Sequence, residues 1–406
     1  MLPAHQEVTA DLLANGQTNR FIGWALLVAG LLAAVVLDPW FLDVRSPTAV
    51  IESARPAVRY TQSVLLEMAF LQLAVGFVLA ADAFSIPARR TAGSLTATGA
   101  ILYVAGYVLE IQWPACTWLV VCGSLLNLGG FLSLIRVGPV GPHARDLKLG
   151  LPVVCFGMLL DLFAGLSITL PEYFMQDYLG AQDGVRLRML RLARVAAVAL
   201  SVLTLLYLGL ARRTGENRRS TEWGRRGMLC GAIGMPALLA AACYTWVPLK
   251  YGLAIPAMAT FVGVLVGVSL AWSFAPFPEK AGWVLIAVSL STGLLMGFYA
   301  FDGPFPAPKF LGEYNDFARR LSRLAHSYCI VLGLLSIFLS RSLERHPGPH
   351  WARQAGVALL VMGSLITIAT ILLQLDPRVP TGTLGIGPAI VVIAILSCLL
   401  PIRRRA

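Results

Sequence analysis

Charge is what this chain has least of. Asp, Glu, Lys and Arg make up 13% of its 406 residues, roughly half the ~25% of an average soluble domain. Lysine is almost missing: Lys148, Lys250, Lys280 and Lys309 stand against 28 arginines. With 57% apolar residues and a mean hydropathy of +0.73, the scarcity of charge excludes a water-soluble globule and marks an integral membrane protein. The net charge of +11 therefore concerns loop topology and anionic lipid. Nothing resembles a nucleic-acid-binding module, and the basic residues lie in short, separated loops.

Other absences narrow the field further. No P-loop, GxSxG, HExxH or GxGxxG occurs in a context that would carry soluble catalysis. The seven cysteines (116, 122, 155, 230, 243, 329 and 398) form no CxxC pair and sit in or beside apolar runs, as small buried residues do. Of the five histidines, His5, His143, His346 and His350 fall in loops or at the terminus, and only His326 adjoins a long apolar run. The first 20 residues are polar and acidic, without the basic n-region of a secretory signal, so the apolar run behind them reads as a first membrane helix.

A helix needs ~20 apolar residues to cross the hydrocarbon core. That ruler predicts an all-α polytopic protein with twelve spans, near 21–42, 61–84, 92–111, 113–136, 149–170, 192–211, 226–248, 251–274, 281–301, 324–341, 352–375 and 382–401. The connections inside 92–136 and 226–274 are so short that each pair forms a tight hairpin, with Pro114 and Pro248 at the turns. Lys and Arg number 19 at the termini and even loops against 13 in the odd loops, which places both termini in the cytoplasm of a bacterial inner membrane. The tryptophans, Trp24, Trp40, Trp113, Trp118, Trp246, Trp272 and Trp283, fall near span ends, as an interfacial belt does.

The chain also repeats with a period of 132. His326, Arg194 and Gln62 occupy one repeated position, and Arg323, Arg191 and Arg59 another. Lys148, Gly150, Leu162 and Gly165 align with Lys280, Gly282, Leu294 and Gly297. This periodicity implies three parallel four-helix units at 21–136, 149–274 and 281–401, flanked by a cytoplasmic segment 1–20 and a basic tail 402–406. Since four is an even number, the three copies share one orientation and are related by an axis along the membrane normal.

Twelve helices in three such units resemble the core subunit of the heme-copper oxidase superfamily, and also the twelve-helix NnrS-type proteins. The resemblance implies pseudo-threefold symmetry, and ligand histidines near the outer ends of the second, sixth and tenth helices. Gln62, Arg194 and His326 stand at those places here. The family's HxxxY is missing, and a permanently charged guanidinium cannot ligate iron. His326 alone matches a ligand, so the resemblance implies at most one heme b site and no intact catalytic metal centre. It also implies respiratory membrane subunits as partners beside the lipid bilayer.

Two further groups of residues are candidates. Arg191, Arg194, Arg320 and Arg323, with Arg186, Arg188 and Arg319, make two basic collars near the outer face; guanidinium forks grip carboxylates and would suit heme propionates or another organic anion. Asp177, Asp183, Glu313 and Asp316 are their nearest acids in sequence. Glu67 and Asp161 are acids inside spans, where a charge costs ~2.5–3.5 kcal/mol and faces the bundle interior. Their repeat equivalents are Ala199 and Val331 for Glu67, and Gly293 for Asp161, so both acids are additions to a single copy. Three functions follow as expectations: a heme-copper-oxidase-like scaffold in electron transfer, or its metal-free descendant; a small-solute or ion transporter; a structural subunit of a membrane complex.

Overall fold

The computed structural model describes residues 15–42, 49–110, 112–141, 144–169, 184–213, 219–297, 299, 317–345, 349–374, 376 and 378–403. Within them lie twelve α-helices and no strand. They are α1 (Gln17–Leu42), α2 (Ala49–Leu79), α3 (Ile86–Glu110), α4 (Thr117–Val137), α5 (Ala144–Thr169), α6 (Val185–Arg213), α7 (Arg219–Tyr244), α8 (Ala254–Phe274), α9 (Phe277–Gly297), α10 (Phe317–Arg345), α11 (His350–Leu373) and α12 (Ile386–Arg403). Every span expected from the sequence has its helix, and all twelve are long and apolar enough to cross a bilayer. Val36, Ile255 and Leu365 point outward at 70%, 73% and 63% exposure, which suits hydrocarbon and not water. The protein is an integral membrane protein, with twelve bilayer-length helices among its described residues.

The short connections behave as expected. A 3-10 turn at Pro114–Cys116 joins α3 to α4, and another at Val247–Leu253 joins α7 to α8. Proline suits these starts because the first N–H of a helix has no internal partner. The helix starts differ from the apolar windows in one systematic way. α2, α6 and α10 begin at Ala49, Val185 and Phe317, well ahead of 61, 192 and 324. Arginine, leucine and alanine are good helix formers, so the basic collars extend the helices instead of ending loops. α6 and α10, at 29 residues each, reach ~43 Å, longer than the ~30 Å hydrocarbon core.

The chain divides into two compact units, one of Met1–Leu26 with Glu67–Val266 and one of Leu27–Leu66 with Gly267–Ala406. In the first unit α3 and α4 touch backbone to backbone. A Cβ on Gly99 would lie 2.8 Å from Gly123 O, and one on Gly123 would lie 2.7 Å from Gly99 O. Small residues at such crossings let membrane helices approach and gain dispersion contacts that lipid cannot match. α6 is the most enclosed helix of this unit, with 72% of its apolar window buried.

In the second unit Trp283 is fully buried, and its ring lies where a Cβ on Gly267 would be. Trp24 is buried as well, so these two tryptophans are core and not interfacial belt. Trp113, Trp118, Trp246 and Trp272 remain exposed, while the side chain of Trp40 lies outside the described residues. Cys155, Cys243, Cys329 and Cys398 are buried; Cys122 and Cys230 are exposed and Cys116 is half-buried. All seven are free thiols.

Candidate functional site

The first unit holds a charged cluster built from three helices. Asp161 on α5 and Arg194 on α6 are 1% and 2% exposed. The Arg194 Nε–H donates to Asp161 Oδ1, forming a buried ion pair. Tyr103 on α3 donates its hydroxyl hydrogen to Asp161 Oδ2 at 2.8 Å and accepts a hydrogen from Arg194 Nη2. Both carboxylate oxygens are thereby satisfied, as a buried charge requires. The Arg194 guanidinium also lies 4.9 Å from the Tyr107 ring centroid, within cation–π range. Tyr103 and Tyr107 meet edge to face at 5.1 Å.

Local sequence explains the geometry. Gly165 lies one helical turn beyond Asp161, and a Cβ there would come within 4.0 Å of the Arg194 Cζ and 3.7 Å of the Tyr107 hydroxyl. A cavity of about 10 Å³, lined by Tyr103, Tyr107, Ser124, Asp161 and Gly165 among others, adjoins the pair. That is room for about one water centre. Glu67 on α2 is close enough for its charge to act on Asp161, and its buried Oε1 has no hydrogen-bond partner among the described residues. Sequence reading identified both acids, and Arg194 as part of a collar, but not the pairing of Arg194 on α6 with Asp161 on α5.

In the second unit the positions 132 residues further on carry different chemistry. His326 on α10 is half-buried. Its Nδ1 lies 2.7 Å from the carbonyl oxygen of Ser289 on α9 and 3.0 Å from Ser289 Oγ. Ser289 Oγ–H in turn donates to His326 O at 2.8 Å. A carbonyl only accepts, so the geometry assigns the proton to Nδ1 and leaves the Nε2 lone pair of the neutral ring uncommitted. The ring lies against Gly293, where a Cβ would stand 2.7 Å from Cε1.

The collars are less uniform than the sequence implied. Arg194 faces inward to Asp161, whereas Arg191, Arg320 and Arg323 are half-buried. Arg186 donates to the carbonyl oxygen of Cys243, and Arg319 donates to that of Tyr299 at 2.9 Å. Asp177, Asp183, Glu313 and Asp316, the acids expected beside the collars, lie outside the described residues. Gln62 is half-buried on α2. Among the described residues no group of three or more His, Cys, Asp or Glu side chains is placed to hold a metal ion.

Two buried polar assemblies were not foreseen. Asn19, Gln72, Thr96 and Asn127, from α1 to α4, form one amide–hydroxyl network with at most 1% exposure each. Asn19 Nδ2 donates to Gln72 Oε1 at 2.8 Å and to Thr96 Oγ1 at 2.9 Å, and Gln72 Nε2 donates to Thr96 O at 2.9 Å. Asn19 precedes the apolar run and so reads as part of a solvated terminus; helical phase with Gly23 and Leu27, four and eight residues on, is the signal that places it inward. In the second unit Glu279 on α9 is fully buried and pairs with Arg341 on α10 at 2.9 Å. Both sit at helix ends, where the apolar-window reading treats charge as loop. Compared with models of known protein families and with curated proteins, the chain matches none.

Proposed function

We propose that the protein handles protons within the membrane, as a proton-coupled small-solute or ion transporter, through Glu67, Asp161, Arg194 and Tyr103. The observation that carries this reading is the second acid. A scaffold needs one carboxylate for one guanidinium, and Asp161 already fills that role with both oxygens bonded. Glu67 adds a buried oxygen with no hydrogen-bond partner among the described residues and a repulsive charge, in a medium where both are expensive. Two carboxylates around one guanidinium make a group that a single proton switches between net zero and net −1. The neighbouring one-water cavity and the Tyr103 and Tyr107 hydroxyls supply hydrogen-bonding stations for that proton.

Purified protein reconstituted in liposomes with a trapped pH dye, under a valinomycin-imposed potassium potential, tests this. Native protein is expected to pass protons faster than protein-free liposomes, and Glu67→Gln to slow that flux at least ~100-fold, the low side of the effect of removing a positioned proton carrier. Unchanged unfolding of the Glu67→Gln protein in detergent would separate lost function from lost fold. Flux equal to that of empty liposomes, or unaffected by Glu67→Gln, would sink the proposal.

A second reading places heme b on His326, in the electron-transfer setting that the family resemblance implies, with respiratory subunits as partners. The Nδ1–H to carbonyl bond favours it, since ligating histidines are commonly held in this way with the other nitrogen turned to the metal. Arg194, at the repeat-related position, is engaged by Asp161 and is no ligand, so the residues fit a single axial bond and not a bis-histidine heme. A Soret band in the detergent-purified protein that disappears in His326→Ala is the expected signature, and a colourless native protein removes this reading.

The architecture we infer is three parallel four-helix repeats with pseudo-threefold symmetry, oriented with both termini cytoplasmic. Three correspondences support the repeat. α2, α6 and α10 all start ahead of their apolar runs. Gly150 approaches Leu205 as Gly282 approaches Ile337, each residue shifted by 132. Asp161 faces Arg194 as Gly293 faces His326, again at that shift.

A further inference from the structure

The second unit carries a groove that adjoins the Glu279–Arg341 pair through Pro278 and Ser340 but is lined by neither of its charged side chains. It has a volume of about 960 Å³, at the upper end of small-molecule sites. Its floor is one face of α11, on which Arg353, Val357, Val361 and Leu365 recur at helical spacing. From Arg353 to Ile366 this face runs ~20 Å along the axis, two-thirds of the hydrocarbon core. The walls come from the start of α9, at Phe277, and the end of α10, at Ser340 and Leu343.

Polarity is confined to one end. Arg353 and Gln354 are exposed there, near the α10–α11 connection, and the part of α11 that lines the groove beyond them is apolar. Ser340 lines the same end. It is 3% exposed, and its Oγ has no hydrogen-bond partner among the described residues. One turn earlier Ser336 bonds back to Leu332 O at 2.7 Å, the usual arrangement for a helical serine; Ser340 does not. A buried hydroxyl left unbonded beside a groove is a donor reserved for something that occupies it.

We infer that this groove is a binding site for one anionic phospholipid. Its acyl chain lies along the apolar face of α11, and its phosphate is held by Arg353 and Gln354 with Ser340 as a further donor. An apolar trench of this size excludes water, and left empty it forfeits dispersion contacts along its whole lining. The bilayer supplies chains of the right length, and the single cationic side chain at the polar end selects among headgroups by charge. The exposed Trp351, two residues before Arg353, is the residue type that anchors at the same headgroup level.

Native mass spectrometry of the full chain, delipidated and then titrated with phosphatidylglycerol or phosphatidylcholine, reads the site directly. One phosphatidylglycerol is expected to be retained, roughly five- to tenfold in preference to phosphatidylcholine, the discrimination one interfacial arginine provides. Arg353→Gln should abolish the preference, and Leu365→Trp, which fills the trench from an exposed position, should lower retention of both lipids. Should Arg353→Gln fold poorly, Gln354→Ala should still weaken the preference. Equal retention of the two lipids, insensitivity to Leu365→Trp, or an isoprenoid quinone recovered from the native protein in place of phospholipid would each overturn the assignment.

Discussion

Helices α5 and α6 in one unit and α9 and α10 in the other carry different chemistry at positions 132 residues apart in the sequence. Asp161 faces Arg194 in the first pair, and Gly293 faces His326 in the second. The substitutions compensate each other. A guanidinium buried at 2% exposure needs a counter-charge, because an unpaired ion in low dielectric costs several kcal/mol. An imidazole can remain neutral and be satisfied by Ser289, but its ring needs the space that Gly293 leaves. Each place is thus internally matched, a charge beside its counter-charge in one and a neutral ring beside a glycine in the other.

Breaking the first pair has the largest expected effect. Asp161→Ala strands Arg194 and should destabilise the protein by about 3–5 kcal/mol, read as the shift in an SDS unfolding titration from mixed micelles. Installing the other solution, Asp161→Gly together with Arg194→His, should recover most of that loss. If the double variant is no more stable than Asp161→Ala, the two sites are not interchangeable and the comparison fails. An intermediate effect belongs to Gly293→Ala. Its new Cβ would stand 2.7 Å from the His326 ring, and overpacking of this kind costs about 1–3 kcal/mol; His326→Ala in the same background should relieve it. Ser289→Ala should be the mildest, about 0.5–1.5 kcal/mol. The accompanying sign is a histidine ring released from its single orientation, visible as a broadened imidazole resonance.

Much of the fold was legible in the chain, and the reason is local. Each span declares itself because the transfer of ~20 consecutive residues into hydrocarbon is nearly a sum over those residues, and the hairpin prolines act on their own turns. The ends were less legible. Asn19, Glu279 and Arg341 lie at or beyond the edges of apolar windows, where a hydropathy sum assigns polar residues to water. Here they are buried because another helix presents a partner at the same depth. Arg194 was misplaced for a similar reason. Its neighbours Arg186, Arg188 and Arg191 made it look like one of a basic collar, yet helical phase turns it inward to Asp161.

The spacing of 132 already carries the contrast, because it sets Gly293 opposite Asp161 and His326 opposite Arg194 in the sequence. Only their contact shows why those two changes occur together. The sequence alone determined the solvent of this protein, the number of its helices and where they turn, since those depend on free energies local to each segment. The tertiary structure decided which polar groups inside the membrane are partners. Pairing is a property of two helices at once: the α5–α6 contact turns a conspicuous acid and an inconspicuous arginine into one site, while Glu67 Oε1 is left without a hydrogen-bond partner among the described residues.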